Sequence, residues 1–337
     1  MIKLTLENEK LLESSYPSFS IVTEWENFIH SELWRPRNML HNVFQQIKEI
    51  SNNIGSKPEF LVVYNPDEVQ KNQVEKIVNE EIKNYSDLVA LKIIPAVGCH
   101  YFELKNFGSK YCTKDIIIFA DTDIVPEDGW LVSILESMKN PNIHVVSGNT
   151  YMPLTSLVEK AIALVWYFPP ETDRTSTFGE IDWFTTNNVA FTRKIFQKYN
   201  FPDLEGLRGH NVAVAKKLIF NGIKIYHQPN ARASHPASNG FVHFIHRGLQ
   251  LGYDKGCAII RERKLDPSTL DREGRSAEKT SMSKIISKIR HRYKFLNLNP
   301  LEVLPVFTIA TTYYTLGVVG LLITLIWPGF LKNRLSV

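Results

Sequence analysis

The sequence is 337 residues long, 44% hydrophobic and 22% charged, with a formal net charge of +4. That is enough chain for one large or two ordinary domains with a real core, and too little positive charge to point to nucleic acid as a partner. Cys99, Cys112 and Cys257 are an odd number with no CxxC spacing, which fits a reducing compartment and neither a disulfide framework nor a zinc site. Residues 1–15 are charged and mixed, with no basic region leading into an apolar one. No signal peptide is expected, and the bulk of the chain is expected in the cytoplasm.

Residues 19–23 are a short apolar run and read as a strand that delivers Thr23, Glu24, Trp25, Glu26 and Asn27 to its carboxyl edge. Residues 34–50 place Met39, Leu40, Val43, Phe44, Ile47 and Ile50 at helical spacing. A second strand over 60–64 breaks at Asn65, Pro66, Asp67 and Glu68; a charged amphipathic helix follows over 69–82, and a third strand over 88–94. This alternation predicts an α/β fold, a doubly wound parallel sheet with right-handed crossovers. Residues 96–110 read as a loop running into a helix, with Lys105 and Asn106 near the same crevice. There an ammonium can face a phosphate; a solvated helix face is the plainer reading.

Residues 116–120 are the central element, a β-biased apolar run short enough for a strand buried on both faces. It stops at Asp121 and Asp123. Two carboxylates one residue apart at a strand's carboxyl end project into the crevice where open α/β sheets bind ligands. Hard carboxylate oxygens together with a diphosphate suit Mg²⁺ or Mn²⁺, although an Asp-x-Asp is also a common solvated turn. Pro126 sets a turn, a helix returns over 130–138, a strand follows over 143–148, and 154–167 read as a buried or partner-facing helix.

In the second half, residues 168–179 form a polar loop long enough to be a mobile lid. Thr185, Thr186, Asn187 and Asn188 are polar enough for a turn or for a sugar lined with hydroxyls. A helix over 208–220 stops at Asn221-Gly222, and a strand over 223–226 leads to His235, a metal ligand or a loop histidine. Residues 241–263 alternate bulky apolar groups with His243, His246, Arg247, Lys255, Arg261 and Arg263, a basic amphipathic helix facing a membrane surface or a phosphate. After a polar linker over 265–280, Lys284, Lys288, Arg290, Arg292 and Lys294 precede a charge-free stretch, 303–331. At about 1.5 Å per residue a helix of that length exceeds the roughly 30 Å hydrocarbon core. Pro305, Gly317 and Gly320 leave room for a kink or re-entrant hairpin, and the basic run marks the cytoplasmic flank, at the headgroups.

In this order the parts resemble the inverting glycosyltransferases of family 2, which carry the GT-A nucleotide-sugar fold. Residues 20–27 stand in place of the family's first strand and its Pro-Thr-Tyr-Asn-Glu end, and Asn65 to Glu68 in place of its base-holding Asp-Asp-Gly-Ser turn. Lys105-Asn106-Phe107-Gly108 is similar to its Lys/Arg-Asn-x-Gly, Asp121-Thr122-Asp123 to its Asp-x-Asp, and residues 186–193 to its Gly-x-Asn-x-Ala-x-Arg. Residues 222–235 are similar to the end of its catalytic domain, where a histidine often completes the metal site. The likeness covers residues 19–240. It implies nucleotide-sugar contacts from Thr23, Glu24, Glu26, Asn65, Asp67, Lys105, Asn106, Asp121 and Asn188, and Mn²⁺ or Mg²⁺ at Asp121, Asp123 and His235. The expected reaction moves a hexose from a nucleoside-diphosphate sugar, UDP-linked in the first instance, to a lipid-linked or glycan acceptor, with inversion.

One position departs from the family. Its general base sits in a Gly-Glu-Asp helix start, and here the two acidic positions are His210 and Asn211. Asn cannot take a proton at neutral pH, whereas His can. Either His210 is the base, or the acceptor is already an anion such as a lipid phosphate, or catalysis is lost and the chain is a membrane-tethered nucleotide-sugar-binding scaffold. The Gln-x-x-Arg-Trp of processive synthases is missing, which favours single-sugar transfer, and the first strand end has no glycine loop of a nucleotidyltransferase. The expected layout is an extension over 1–18, a GT-A domain over 19–240, a basic helix and linker over 241–300, and a single-pass or hairpin anchor over 301–337 on the cytoplasmic face.

Overall fold

The computed structural model describes residues 15–204, 206, 209–264 and 282–335; the stretch before residue 15, Arg208 and the expected polar linker lie outside them. The first half runs β1 (Phe19–Glu24), α1 (Trp34–Glu49), β2 (Glu59–Tyr64), α2 (Lys71–Ile82), β3 (Ala90–Pro95), α3 (Tyr101–Ser109) and β4 (Ile116–Ala120). After β4 come β5 (Val125–Pro126), α4 (Trp130–Met138), β6 (Val145–Tyr151), α5 (Leu157–Val165), β7 (Gly179–Ile181), β8 (Asn188–Thr192), α6 (Arg193–Lys198), α7 (His210–Phe220) and β9 (Ile225–Ser234). The chain then turns helical, with α8 (Gly240–Lys264), α9 (Met282–Tyr293), α10 (Pro300–Ile326) and α11 (Pro328–Leu335).

The strands form one sheet in the order β3-β2-β1-β4-β8-β6-β9-β5, with β7 on β9. β3, β2, β1 and β4 are mutually parallel, as the strand–helix alternation requires. β8 is antiparallel to both β4 and β6 and joins the parallel half to the β6–β9 pair. β4 is buried on both faces because its residues alternate between two cores. Ile116, Ile118 and Ala120 pack in the core that holds residues of α1, α2 and α4, while Ile117 and Phe119 pack in the one with residues of α3, α6 and α7. This is the mixed α/β sandwich of the GT-A fold.

Three expectations change. The strand starting near residue 223 does not stop at Tyr226. β9 continues to Ser234, and its pairing with β6 jumps from Gln228 to Arg232 at an irregularity that takes up Pro229, which has no N–H to give a ladder. The loop over 168–179 is tied down and is no free lid: Arg232 Nη2 donates to Glu171 O at 2.7 Å, and His291 Nε2 lies 3.0 Å from Asp173 Oδ2. Of the basic run, Arg292 is buried and closes the carboxyl end of α5, donating to the carbonyls of Ala163, Trp166 and Tyr167. Lys288 points the same way, toward Val165 O, while Lys284, Arg290 and Lys294 are exposed.

The C-terminal helices are a layer on the sheet domain. Ala161, Leu164 and Trp166 share a core with Phe244, Leu296, Val306 and Tyr313, so the boundary expected at residue 240 runs into a common core. α8 and α10 lie parallel, with Gly248, Gly252 and Gly256 against Leu316, Gly317 and Thr324; a Cβ on Gly252 would run into the backbone of Gly317 and Leu321. α10 continues unbroken through Pro305, Gly317 and Gly320. No re-entrant hairpin forms there, because the glycines serve contact with α8. α10 is long and apolar enough to cross a membrane, and Leu301, Leu304 and Ile326 are 87%, 77% and 83% exposed.

Candidate active site

β4 ends where its apolar run ends, and the two carboxylates that follow take different surroundings. Asp121 is buried; Lys105 Nζ pairs with its Oδ1, and Tyr101 Oη donates to Oδ2 at 2.6 Å. Lys105 is itself wholly buried, with Nζ 4.5 Å from the centre of the Tyr101 ring. The ammonium expected to face a phosphate is thus committed to holding Asp121. Asp123, two residues on, meets β9. His235 follows the last residue of that strand, and its Nε2 lies 3.7 Å from Asp123 Oδ2. His235 Nδ1 is 2.7 Å from Pro236 O; a proton on Nδ1 donated there leaves the Nε2 lone pair toward Asp123. Arg35, from α1, donates to Asp123 O at 3.2 Å and fixes the turn.

A carboxylate oxygen and an imidazole nitrogen at this separation can be spanned by two metal bonds of about 2.0–2.2 Å, so Asp123 and His235 fit a divalent cation that takes its remaining ligands from a diphosphate. Asp121, expected as a further metal ligand, already accepts one hydrogen bond at each oxygen, from Lys105 and Tyr101, which leaves a second lone pair on each for a ligand. Among the described residues, the group whose ligand atoms all lie within 4.8 Å is Glu26, Glu68 and His100, at the rim. Burial and then Glu68 bring Glu26 up to about 7.

The site opens into a cavity of about 1280 Å³ between the carboxyl edge of the sheet and α8. Of the residues singled out in the sequence, Glu26, Asn106, Asp121, His210, Asn211 and His235 line it. Others have turned inward. Thr23 Oγ1 donates to Leu61 O and accepts from Trp25 Nε1. Glu24 accepts the backbone N–H of Glu26 at 2.9 Å, and burial followed by Asp121 pushes it well above the usual carboxylate range. Asn106, although it borders the cavity, spends its amide on both backbone groups of Phe201. Asn188 accepts from Trp130 Nε1 at 2.8 Å and donates to Ala231 O at 3.0 Å, a tie between β8, α4 and β9. Asn65 accepts from the backbone of Asp67 and Gly98, and Asp67 remains exposed at that turn. Thr185, Thr186 and Asn187, read as a turn or as groups for a sugar, line the cavity, and so does Tyr101, to which the sequence reading gave no role. Tyr101 is detectable as the aromatic one helical turn before Lys105.

His210 opens α7, but Gly209 in a left-handed conformation supplies the cap position and His210 makes no capping bond. Its ring stacks on Phe102 with centroids 4.0 Å apart. Burial, then Arg261, lowers its pKa to about 4, so at neutral pH it is uncharged and a weak proton acceptor. Asn211 donates to Phe184 O at 2.6 Å.

Residues 102–199, which include α3 after Tyr101, the carboxylate pair and β8, match the family described as Glycosyl transferase family 2. A comparison with curated proteins found no match. Among solved structures, the chain is similar to a mannosyltransferase from Pyrobaculum calidifontis in complex with GDP-Man and Mn²⁺. Identity is 14% and the TM-score 0.57, over 97% of this chain and 94% of that one. It is also similar to GalNAc-T7 with UDP, GalNAc and Mn²⁺, at 13% identity and a TM-score of 0.52, over 83% of this chain and 57% of that one. The shared fold and the family match support a glycosyltransferase of the family 2, GT-A type.

Proposed function

We propose that the chain transfers a sugar from a nucleoside diphosphate to an acceptor that enters along α8, inverting the anomeric carbon. The observation that carries this is Asp123 and His235, brought 3.7 Å apart at the ends of β4 and β9 beside a large cavity. Asp123 and His235 would hold Mn²⁺ or Mg²⁺, which would supply neutralisation of the diphosphate charge. Asp121, oriented by Lys105 and Tyr101, accepts from the ribose hydroxyls. Glu26, beside Glu68 of the turn that Asn65 and Asp67 form, faces the base, and Thr186 and Asn187 face the sugar. Thr23, Glu24, Asn106 and Asn188 hold the frame in which these groups sit. The GDP- and UDP-linked ligands of the similar structures make those two nucleotides the first donors to try. α10 attaches the chain to a membrane through its exposed apolar flank, with the catalytic face in the cytoplasm.

Calorimetry of GDP and UDP with and without Mn²⁺ tests the reading. Binding is expected to need the metal and to be lost in Asp123→Ala, with the fold intact by circular dichroism. Unchanged affinity in that variant would overturn the metal assignment. Metal-dependent binding with no sugar release or transfer from any sugar nucleotide would support a binding scaffold.

A further inference from the structure

We infer that Arg292, on α9, is a positioning residue for the metal site, setting the angle of the His235 ring through Trp166 and Phe168; this rests on the reading of Asp123 and His235 as a metal pair. The starting point is the end of α5. That helix stops at Val165, and Trp166 keeps a last helical bond, its N–H donating to Ile162 O at 2.8 Å. The chain then leaves the helix, and the carbonyls of its last turn need donors from elsewhere. Arg292 Nη1 donates to Ala163 O at 2.8 Å and to Trp166 O, and Nη2 donates to Tyr167 O at 2.9 Å. One planar guanidinium thus ties three carbonyls, and its fixed fork is something a lysine does not reproduce. Lys288, one turn earlier on α9, reaches Val165 O at 3.4 Å.

What those carbonyls fix is the course of residues 166–168, and with it the place of two buried rings. Trp166 and Phe168 pack on each other with centroids 4.9 Å apart. Both also face His235. Trp166 meets the imidazole edge-on, at 5.4 Å and 70°, and Phe168 lies against it at 4.8 Å and 45°. The backbone of His235 is held separately, its N–H donating to Tyr151 O at 2.9 Å at the end of β6. The freedom that remains is rotation of the ring about its side-chain bonds. The two aromatic walls limit that rotation by contact, and the 2.7 Å approach of Nδ1 to Pro236 O sets which nitrogen faces inward. Nε2 is left 3.7 Å from Asp123 Oδ2.

An imidazole nitrogen binds a cation through a single lone pair in the plane of its ring, so its affinity depends on ring angle as well as on distance. A carboxylate offers about four lone-pair directions and tolerates more rotation. His235 is therefore the member of the pair that needs walls, and Arg292 stiffens the segment that carries them. Groups that orient a ligand without touching the metal typically contribute about 10- to 100-fold in metal affinity, and a site has to be held to within roughly 10–20° of its working geometry. Although Asp123 and His235 sit at the ends of β4 and β9, the angle between them depends in this way on a helix that follows the whole sheet in the chain.

The experiment uses the full chain in detergent micelles, with Mn²⁺ titrated at fixed GDP or fixed UDP and followed by electron paramagnetic resonance. The signal of free Mn²⁺ gives the affinity, and nitrogen modulation in pulsed spectra reports an imidazole on the bound ion. Arg292→Gln should weaken Mn²⁺ by about tenfold or more and reduce the nitrogen modulation of what still binds, with Arg292→Lys in between. Phe168→Leu leaves Arg292 in place and should weaken Mn²⁺ in the same sense. In that background Arg292→Gln should add little, because both changes act through one ring. Lys160→Gln breaks a different tie between α5 and the C-terminal layer, the Lys160–Glu302 pair, and should alter neither readout. Unchanged affinity and modulation in Phe168→Leu overturn the proposal even where Arg292→Gln fails to fold. An equal loss in Lys160→Gln also overturns it, since Arg292 would then be one staple among several. Wild-type protein that binds Mn²⁺ and nucleotide together without nitrogen modulation removes His235 from the metal, and with it both this proposal and the reading it rests on.

Discussion

The imidazole of His210 lies almost flat on Phe102, and burial brings its pKa down to about 4. An unfolded chain takes up that proton near the ordinary value of about 6.5. Between the two the unfolded state binds a proton that the folded state excludes, so the stability due to this group is complete above about 6.5 and falls as pH drops toward 4. The full effect is on the order of 3 kcal/mol. His210→Phe keeps the stack and removes the titration. Urea unfolding at pH 7.5 and 5.0 should therefore show the variant losing less stability on acidification than the wild type. Glu26, raised to about 7, acts in the opposite sense, losing its contribution as pH rises, but it is common to both proteins and cancels. Equal acid sensitivity in the two would remove His210 as the cause. Inward and outward polar groups were not separable in the sequence. Lys105, Asn106 and Asn188 sit where a ligand contact is expected, but each found a partner 16, 95 and 43 residues away in the chain. A strand's carboxyl end says that polar groups gather there, and only tertiary packing says which of them face the cavity.

Among elements, those with a continuous apolar run were legible. β1, β2 and β4 are buried at every residue, and the run that buries them is visible in the sequence. β9 was cut short at Tyr226; Pro229 and Asn230 stand in a strand only because its pairing with β6 shifts there. The α8–α10 contact leaves a readable mark, small residues four apart at Gly248, Gly252 and Gly256, matched by Gly317 and Gly320. Its meaning depended on knowing that the two helices run side by side. Gly252→Leu should force them apart and cost about 1–3 kcal/mol, seen as a lowered unfolding midpoint in detergent. Gly55→Ala, with open space around the new methyl, serves as the control and should change little. A Gly252→Leu protein as stable as wild type would mean the helices do not pack this way in solution.

For the whole molecule, the question is what holds it to a membrane. The exposed basic residues of the α9 region, Lys284, Arg290 and Lys294, contribute about 1 kcal/mol each toward anionic headgroups, and salt screens that attraction. A buried Leu or Val on α10 contributes about 1.5–3 kcal/mol, nearly independent of salt. Three such residues on the outer flank therefore outweigh the basic set under any ionic strength. Wild-type protein should stay with anionic vesicles through a wash in concentrated salt. With Leu304→Glu, Val318→Glu and Leu322→Glu combined, it should bind the same vesicles in dilute buffer and leave them when salt is added, because only the electrostatic part remains. These three side chains face away from α8, so nucleotide binding with Mn²⁺ should persist and report that the fold is intact. Flotation of the triple variant with vesicles in high salt would place the anchor elsewhere in the chain. The same result would separate the apolar flank of α10 from the acceptor site on the far side of α8.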